Sequence, residues 1–294
     1  MPGLQLPPGV EGIVSITELP DPAWEARWSR IFVDGGQKDR LLNYLLFSLR
    51  HRSRFNGVAL PIHGLVVLSG PPGTGKTTLA GGLADRAARE LGDPPLLYVE
   101  IDPHRFPSQM LGESQRAVAR LFERTLPDLA RRGSPVVVLL DEVEALAVNR
   151  SGASLETNPV DVHRATDAVL AGVDRVAMLC PNVTFVATTN HPVGVDAAFL
   201  SRADLIEEIG LPGLEAVRHI LTDTLIELVP ADQLDAPSLV QLAADCVAAS
   251  MDARRIRKLV LRAVASRRDL AMAPERLRVD DVRAVLQGDQ AAAE

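Results

Sequence analysis

The stretch that decides the fold is GPPGTGKT, Gly70 to Thr77, preceded by the apolar run LVVLS at 65–69 and followed by TLAGGLADRAARE from Thr78. Strand, glycine-rich turn and helix in that order match GxxxxGK[ST] in the context the pattern requires. Gly70, Gly73 and Gly75 let backbone N–H groups curl around an anion, and the helix beginning near Lys76 turns its positive dipole end toward the same place. The expected guest is a triphosphate, ATP, held by Gly70, Pro71, Pro72, Gly73, Thr74, Gly75, Lys76, Thr77 and Thr78. Lys76 would lie against the β- and γ-phosphates and the Thr77 hydroxyl would ligate Mg²⁺.

Outward from this loop, short apolar runs alternate with helical segments: LLYVEI at 96, VVVLL at 136, VTFVATT at 183 and LIEEI at 205. With LVVLS they make five strands of a mostly parallel α/β sheet with covered faces. From Gly36 to Arg54, Leu42, Leu45, Leu46 and Leu49 recur at helical spacing and predict a core-facing helix. After Pro212 the strand signal stops and helical patterns run through Val217, Leu221, Leu242, Ile256 and Val260. The expected organisation is an arm at 1–25, rich in Pro and Gly; an α/β domain at 26–210; and a small all-α domain at 211–294.

The run VVVLLDE places Asp141 and Glu142 at the carboxyl tip of a buried strand, where carboxylates reach a phosphate crevice. Asp141 is the expected second Mg²⁺ contact, and Glu142 the base that polarises an attacking water for in-line transfer of the γ-phosphoryl group. Asn190, at the end of VTFVATT, offers a neutral amide to that water or to a γ-phosphate oxygen. Arg202 in FLSRAD and Arg254 in MDARRIRKL are candidate cations for the charge that develops in the transition state.

Composition limits the partners. Of 294 residues, 31 are basic and 38 acidic, a net charge of −7, so the whole-chain field repels phosphate backbones. The apolar runs are far too short to cross a bilayer. Only Lys38, Lys76 and Lys258 are lysines. The chain therefore uses arginine almost everywhere but keeps a compact ammonium inside the phosphate loop. Cys180 and Cys246 have no CxxC or His/Cys context, which argues against a disulfide scaffold or a structural zinc. No basic segment followed by an apolar core opens the chain, and with the free thiols this predicts a cytoplasmic protein.

The ordered set GPPGTGKT, LLDE, ATTN, FLSRAD and MDARRIRKL resembles an AAA+ ATPase over about residues 26–285. WSRIFVDGGQKDRLLNYLLFSLR, LLDEVEALAVNR, VHRATDAVLAGVD and AFLSRADLIEEIGLP resemble, within AAA+, the pachytene-checkpoint family, remodellers of HORMA-domain proteins. The resemblance implies Asn190 as sensor 1, Arg202 as an arginine finger reaching a neighbouring subunit's ATP, and Arg254 as sensor 2. It also implies Phe32 and Val33 beside adenine, and a homo-hexameric ring. The substrate-gripping pore loop would fall on PSQMLGES, with Met110 and Leu111 in place of the family's aromatic-apolar pair. NRSGASLETNPVDVH occupies the place of a second pore-facing loop.

Eukaryotic members carry an adaptor domain before the ATPase core, and 25 residues are too few for one. The resemblance therefore implies a short prokaryotic member regulating a HORMA protein in cyclic-oligonucleotide anti-phage signalling. Two other functions compete: a nucleic-acid motor or loader, and a nucleotide-gated scaffold for another protein. The negative charge and the absence of Lys, Arg and aromatic residues from PSQMLGES weigh against the first. The presence of Glu142, Asn190 and Arg202 together weighs against the second.

Overall fold

The computed structural model describes residues 12–33, 36–55, 60–106, 113–149 and 159–291. The expected pore residues Met110 and Leu111, and residues 150–158 of the second loop, lie outside them. The chain divides into two compact units. One comprises residues 1–28, 36–70 and 76–209, and the other residues 29–35, 71–75 and 210–294.

In the first unit the elements run β1 (Ile13–Leu19), α1 (Pro22–Ser29), α2 (Gln37–His51), β2 (Leu65–Ser69), α3 (Lys76–Leu91) and β3 (Leu96–Ile101). They continue with α4 (Glu113–Arg120), α5 (Leu126–Ala130), β4 (Val136–Leu140), α6 (Pro159–Leu179), β5 (Val183–Thr189), α7 (Ala197–Leu200) and β6 (Leu205–Glu208). The strands form one sheet in the order β1-β3-β4-β5-β2-β6. All pairings are parallel except β1 with β3.

Among the described residues the sheet thus has six strands, one more than the five expected. The addition, β1, comes from the stretch read as an arm. Its pairing with β3 shifts register between Ile13 and Ser15, and its buried positions are Ile13, Ile16 and Leu19. A bulge of this kind breaks the alternation by which a half-buried strand is recognised in sequence. By contrast, every residue of β2, β4 and β5 is buried, as continuous apolar runs covered on both faces require. The α2 helix forms as expected, but its buried line runs through Leu41, Leu45 and Ser48.

The second unit holds α8 (Leu214–Leu225), α9 (Ala236–Ala248), α10 (Ala253–Ala265), α11 (Arg268–Met272) and α12 (Val279–Ala291). Its core is built from Val217, Leu221, Leu225, Leu242, Ile256, Val260 and Val282, each at most 1% exposed. Asp235 and Asp252 cap α9 and α10 by accepting from the first free backbone N–H groups of each helix. Cys180 and Cys246 are free and buried. No helix of the described residues is long and apolar enough to cross a membrane.

Candidate active site

Sheet order builds the site. β2 lies directly beside β5, with Ser69 opposite Thr189, and β5 lies beside β4, with Ala187 opposite Leu140. The carboxyl ends of three parallel strands are therefore neighbours, and the residues that follow them are Gly70, Asp141 and Asn190. Open α/β sheets bind ligands at such an edge.

The glycines of the loop are held to their identity by the space and backbone around them. Gly70 has φ +140°, and a Cβ there would stand 2.2 Å from the Ile209 carbonyl oxygen. Gly73 has φ +81°, and a Cβ would stand 2.4 Å from Asp252 Oδ1. Neither position admits a side chain without moving its neighbour.

Lys76 opens α3 and is only 6% exposed. Its Nζ donates to the Gly70 carbonyl and to Asn190 Oδ1, both at 2.8 Å. Burial lowers the pKa of this ammonium, and Glu144, Asp141 and Glu142 partly oppose the shift. Thr77 Oγ1 donates to Asp141 Oδ1 at 2.8 Å. This hydroxyl–carboxylate pair is the hard oxygen donor set that Mg²⁺ takes together with phosphate, so the residues present fit that ion.

Glu142 sits at φ +51°, ψ +54°, in the left-handed region that side chains other than glycine rarely occupy. Such strain, about 1–2 kcal/mol, persists where surrounding bonds over-determine the backbone. Here Glu142 N–H donates to Thr188 Oγ1 at 3.0 Å, and the Thr188 hydroxyl in turn donates to Asp141 Oδ1 at 2.5 Å. The Glu142 side chain is half exposed. Its Oε1 accepts from Asn190 Nδ2 at 3.1 Å, and its Oε2 lies 3.3 Å from His104 Nε2. Asn190 N–H donates to Glu144 Oε1 at 3.0 Å, while Glu144 Oε2 is buried without a hydrogen-bond partner.

The structure thus brings Gly70, Lys76, Thr77, Asp141, Glu142 and Asn190 into one bonded cluster. Sequence reading missed Thr188, Glu144 and His104. Thr188 stands inside the TT of VTFVATTN and reads as one more β-branched strand residue, and Glu144 reads as surface charge after LLDE.

Arg202 is not in this cluster. It follows α7 and precedes β6, whose Leu205 is opposite Val66 of β2. The four residues from Val66 to Gly70 span about 13 Å at about 3.3 Å each, so Arg202 lies toward the other end of the sheet from Lys76. In the second unit, Phe32 stacks on His219 with centroids 4.8 Å apart and planes 13° apart. Val33 is half-buried beside it in sequence, and Arg254 is exposed in the first turn of α10.

The model of the ATPase family associated with various cellular activities (AAA) matches residues 66–211. The chain is 42% identical over 287 residues to CD-NTase-associated protein 6 of Pseudomonas aeruginosa, covering 94% of this chain and 92% of that protein. It is 33% identical to the pachytene checkpoint protein 2 homolog of Danio rerio over 72% of this chain, and spans half the length of that relative. Among solved structures, C. elegans PCH-2 superposes with a TM-score of 0.76 at 23% identity, covering 96% of this chain and 76% of that one. A chain of the E. coli MS115-1 HORMA:CdnC:Trip13 complex superposes with a TM-score of 0.69 at 24% identity, covering 82% of each.

Proposed function

Because the chain belongs to the AAA ATPase family, in its pachytene-checkpoint branch, we propose that it couples ATP hydrolysis to the remodelling of a HORMA-domain protein in cyclic-oligonucleotide anti-phage signalling. The observation that carries the reading is the 42% identity, along nearly the whole of both chains, to a CD-NTase-associated protein. The E. coli structural neighbour, a complex containing HORMA, CdnC and Trip13 chains, supports the choice of partner.

In this reading the loop from Gly70 to Thr78 binds the triphosphate of ATP, with Lys76 against the β- and γ-phosphates. Thr77 and Asp141 would hold Mg²⁺, which when bound neutralises charge on those oxygens. Glu142 polarises the attacking water, and Asn190, already bonded to both Lys76 and Glu142, orients that water toward the γ-phosphorus. Phe32 and Val33 flank the adenine, and Arg254 answers phosphate charge from the helical unit. Arg202, too far along the sheet to serve its own Lys76, serves the nucleotide of an adjacent copy in a homo-hexamer. An arginine finger of this kind contributes roughly 10³ to 10⁵ in rate.

Met110 and Leu111 would grip polypeptide in the ring's pore by apolar packing. Remodelling requires ring states that differ in affinity for the substrate, and binding and hydrolysis of ATP supply that difference. ATPase rates measured separately with a candidate HORMA-domain protein and with single-stranded DNA test the reading. Stimulation by the HORMA protein alone is expected; stimulation by DNA alone overturns it.

A further inference from the structure

The candidate finger is not loose. Arg202 Nε donates to Asp174 Oδ1 at 2.7 Å and Nη2 donates to Asp174 Oδ2 at 2.8 Å, a side-on bidentate pair between α6 and the turn after α7. Nη1 donates to the Ala198 carbonyl at 2.7 Å. A guanidinium has five N–H groups. Three are engaged, and the remaining two, one on each terminal nitrogen, have no partner among the described residues. Those terminal nitrogens are a fork with which arginine takes phosphate oxygens in pairs. The side chain is 24% exposed. It lines an open cavity of about 780 Å³ with Asp174, His63, Phe55, Leu60 and Met178. Phe55, Leu60 and Met178 on this wall are 42%, 48% and 81% exposed, so the rim around Arg202 is open to solvent.

We propose that Asp174 is a positioning residue for the reaction: it clamps the inner edge of the Arg202 guanidinium so that the terminal nitrogens point outward to the nucleotide of an adjacent copy. The inference rests on the reading of Arg202 as a finger acting between subunits. Among the described residues Asp174 bonds to Arg202 and lies 3.8 Å from His63 Nε2, with no hydrogen bond or ion pair to the Lys76 cluster, so its effect on turnover passes through Arg202. An exposed arginine freed of its clamp samples many rotamers, and misplacement by about 1 Å costs on the order of 10²-fold in rate.

The experiment uses full-length chains. Asp174→Asn, which keeps the volume and one acceptor, and Asp174→Ala are expected to lower kcat on the order of 10²-fold with KM for ATP unchanged. Asp174→Glu is expected to recover part of the loss. A loss of fold in the subunit that carries the change would lower kcat too, so Asp174→Asn chains are also co-assembled with Glu142→Gln chains. At junctions where the first supplies an intact base and the second an intact finger, activity returns. A parallel assembly pairs Arg202→Ala with Glu142→Gln. Recovery in both assemblies supports the proposal. Recovery with Arg202→Ala but not with Asp174→Asn overturns the role of Asp174 and leaves the finger standing. Recovery in neither removes the finger reading, and this proposal with it. Wild-type turnover by Asp174→Asn overturns the proposal directly.

Discussion

Lys76 Nζ stands 2.8 Å from Asn190 Oδ1, and the same amide donates from its nitrogen to Glu142 at 3.1 Å. One neutral side chain thus connects the phosphate-binding cation to the candidate base. Asn190 can hold both because an amide offers an acceptor and a donor on opposite atoms, which neither an aspartate nor a lysine does. A change at either end of this connection has a separable consequence.

Lys76→Met is expected to abolish the thermal stabilisation that ATP confers. A ligand present at 100 times its Kd stabilises the folded state by about 2.7 kcal/mol, and that increment disappears with the cation that meets the phosphates. Melting curves with and without Mg·ATP measure it. A full ATP-induced shift in the variant removes Lys76 from the binding role.

Glu142→Gln is expected to keep ATP binding while slowing hydrolysis by roughly 10² to 10⁴-fold, the usual contribution of a positioned general base. The amide preserves the Asn190 contact on one oxygen, so the loop and Lys76 keep their arrangement. Phosphate release and equilibrium nucleotide binding, measured on the same preparation, separate the two effects. Hydrolysis at the wild-type rate shows that the base lies elsewhere.

Thr188→Val tests the tie between the Glu142 backbone and the Asp141 carboxylate. The hydroxyl accepts from Glu142 N–H and donates to Asp141, and the residue is 2% exposed. Removing it leaves a donor unpaired beside a strained backbone, at a cost of about 1–3 kcal/mol. Stability to urea is expected to fall by that amount and kcat by on the order of 10-fold, with Thr188→Ser restoring both. Unchanged kcat in a folded Thr188→Val protein rejects the role.

The pH dependence of stability has a predictable contribution from Glu207. Hydrogen bonds from Arg40, at 2.8 and 3.1 Å, and from Gln37, at 3.1 Å, hold its carboxyl below its ordinary value of 4.5. A folded-state pKa depressed in this way adds stability above about pH 4.5 that is lost as the pH falls through the folded value. Wild-type protein is therefore expected to lose stability more steeply in this acid range than Glu207→Gln. Parallel denaturation curves from neutral to acid pH check the sign.

Much of the molecule is legible along the chain because its signals are local. The strand–turn–helix around Gly70 to Thr78 needs only consecutive residues, and β2 to β6 announce themselves as apolar runs between helical periods. β1 escaped because its buried residues Ile13, Ile16 and Leu19 do not alternate, and it lies in a stretch rich in Pro and Gly. Thr188 and Asp174 escaped for a different reason. A threonine in a strand and an aspartate on a helix are ordinary residues until their partners are known.

By itself the sequence determined the phosphate loop, the class of the fold and the order of the candidate acidic, amide and basic residues. Each of these depends on spacing within one element or on composition between elements. Only the tertiary structure decided which of those residues meet. Lys76 and Asn190 are 114 residues apart, and Arg202 and Asp174 are 28 apart. The first pair is joined because β2 inserts beside β5, while Arg202 is kept from Lys76 because parallel strands carry their two ends to opposite edges of the sheet.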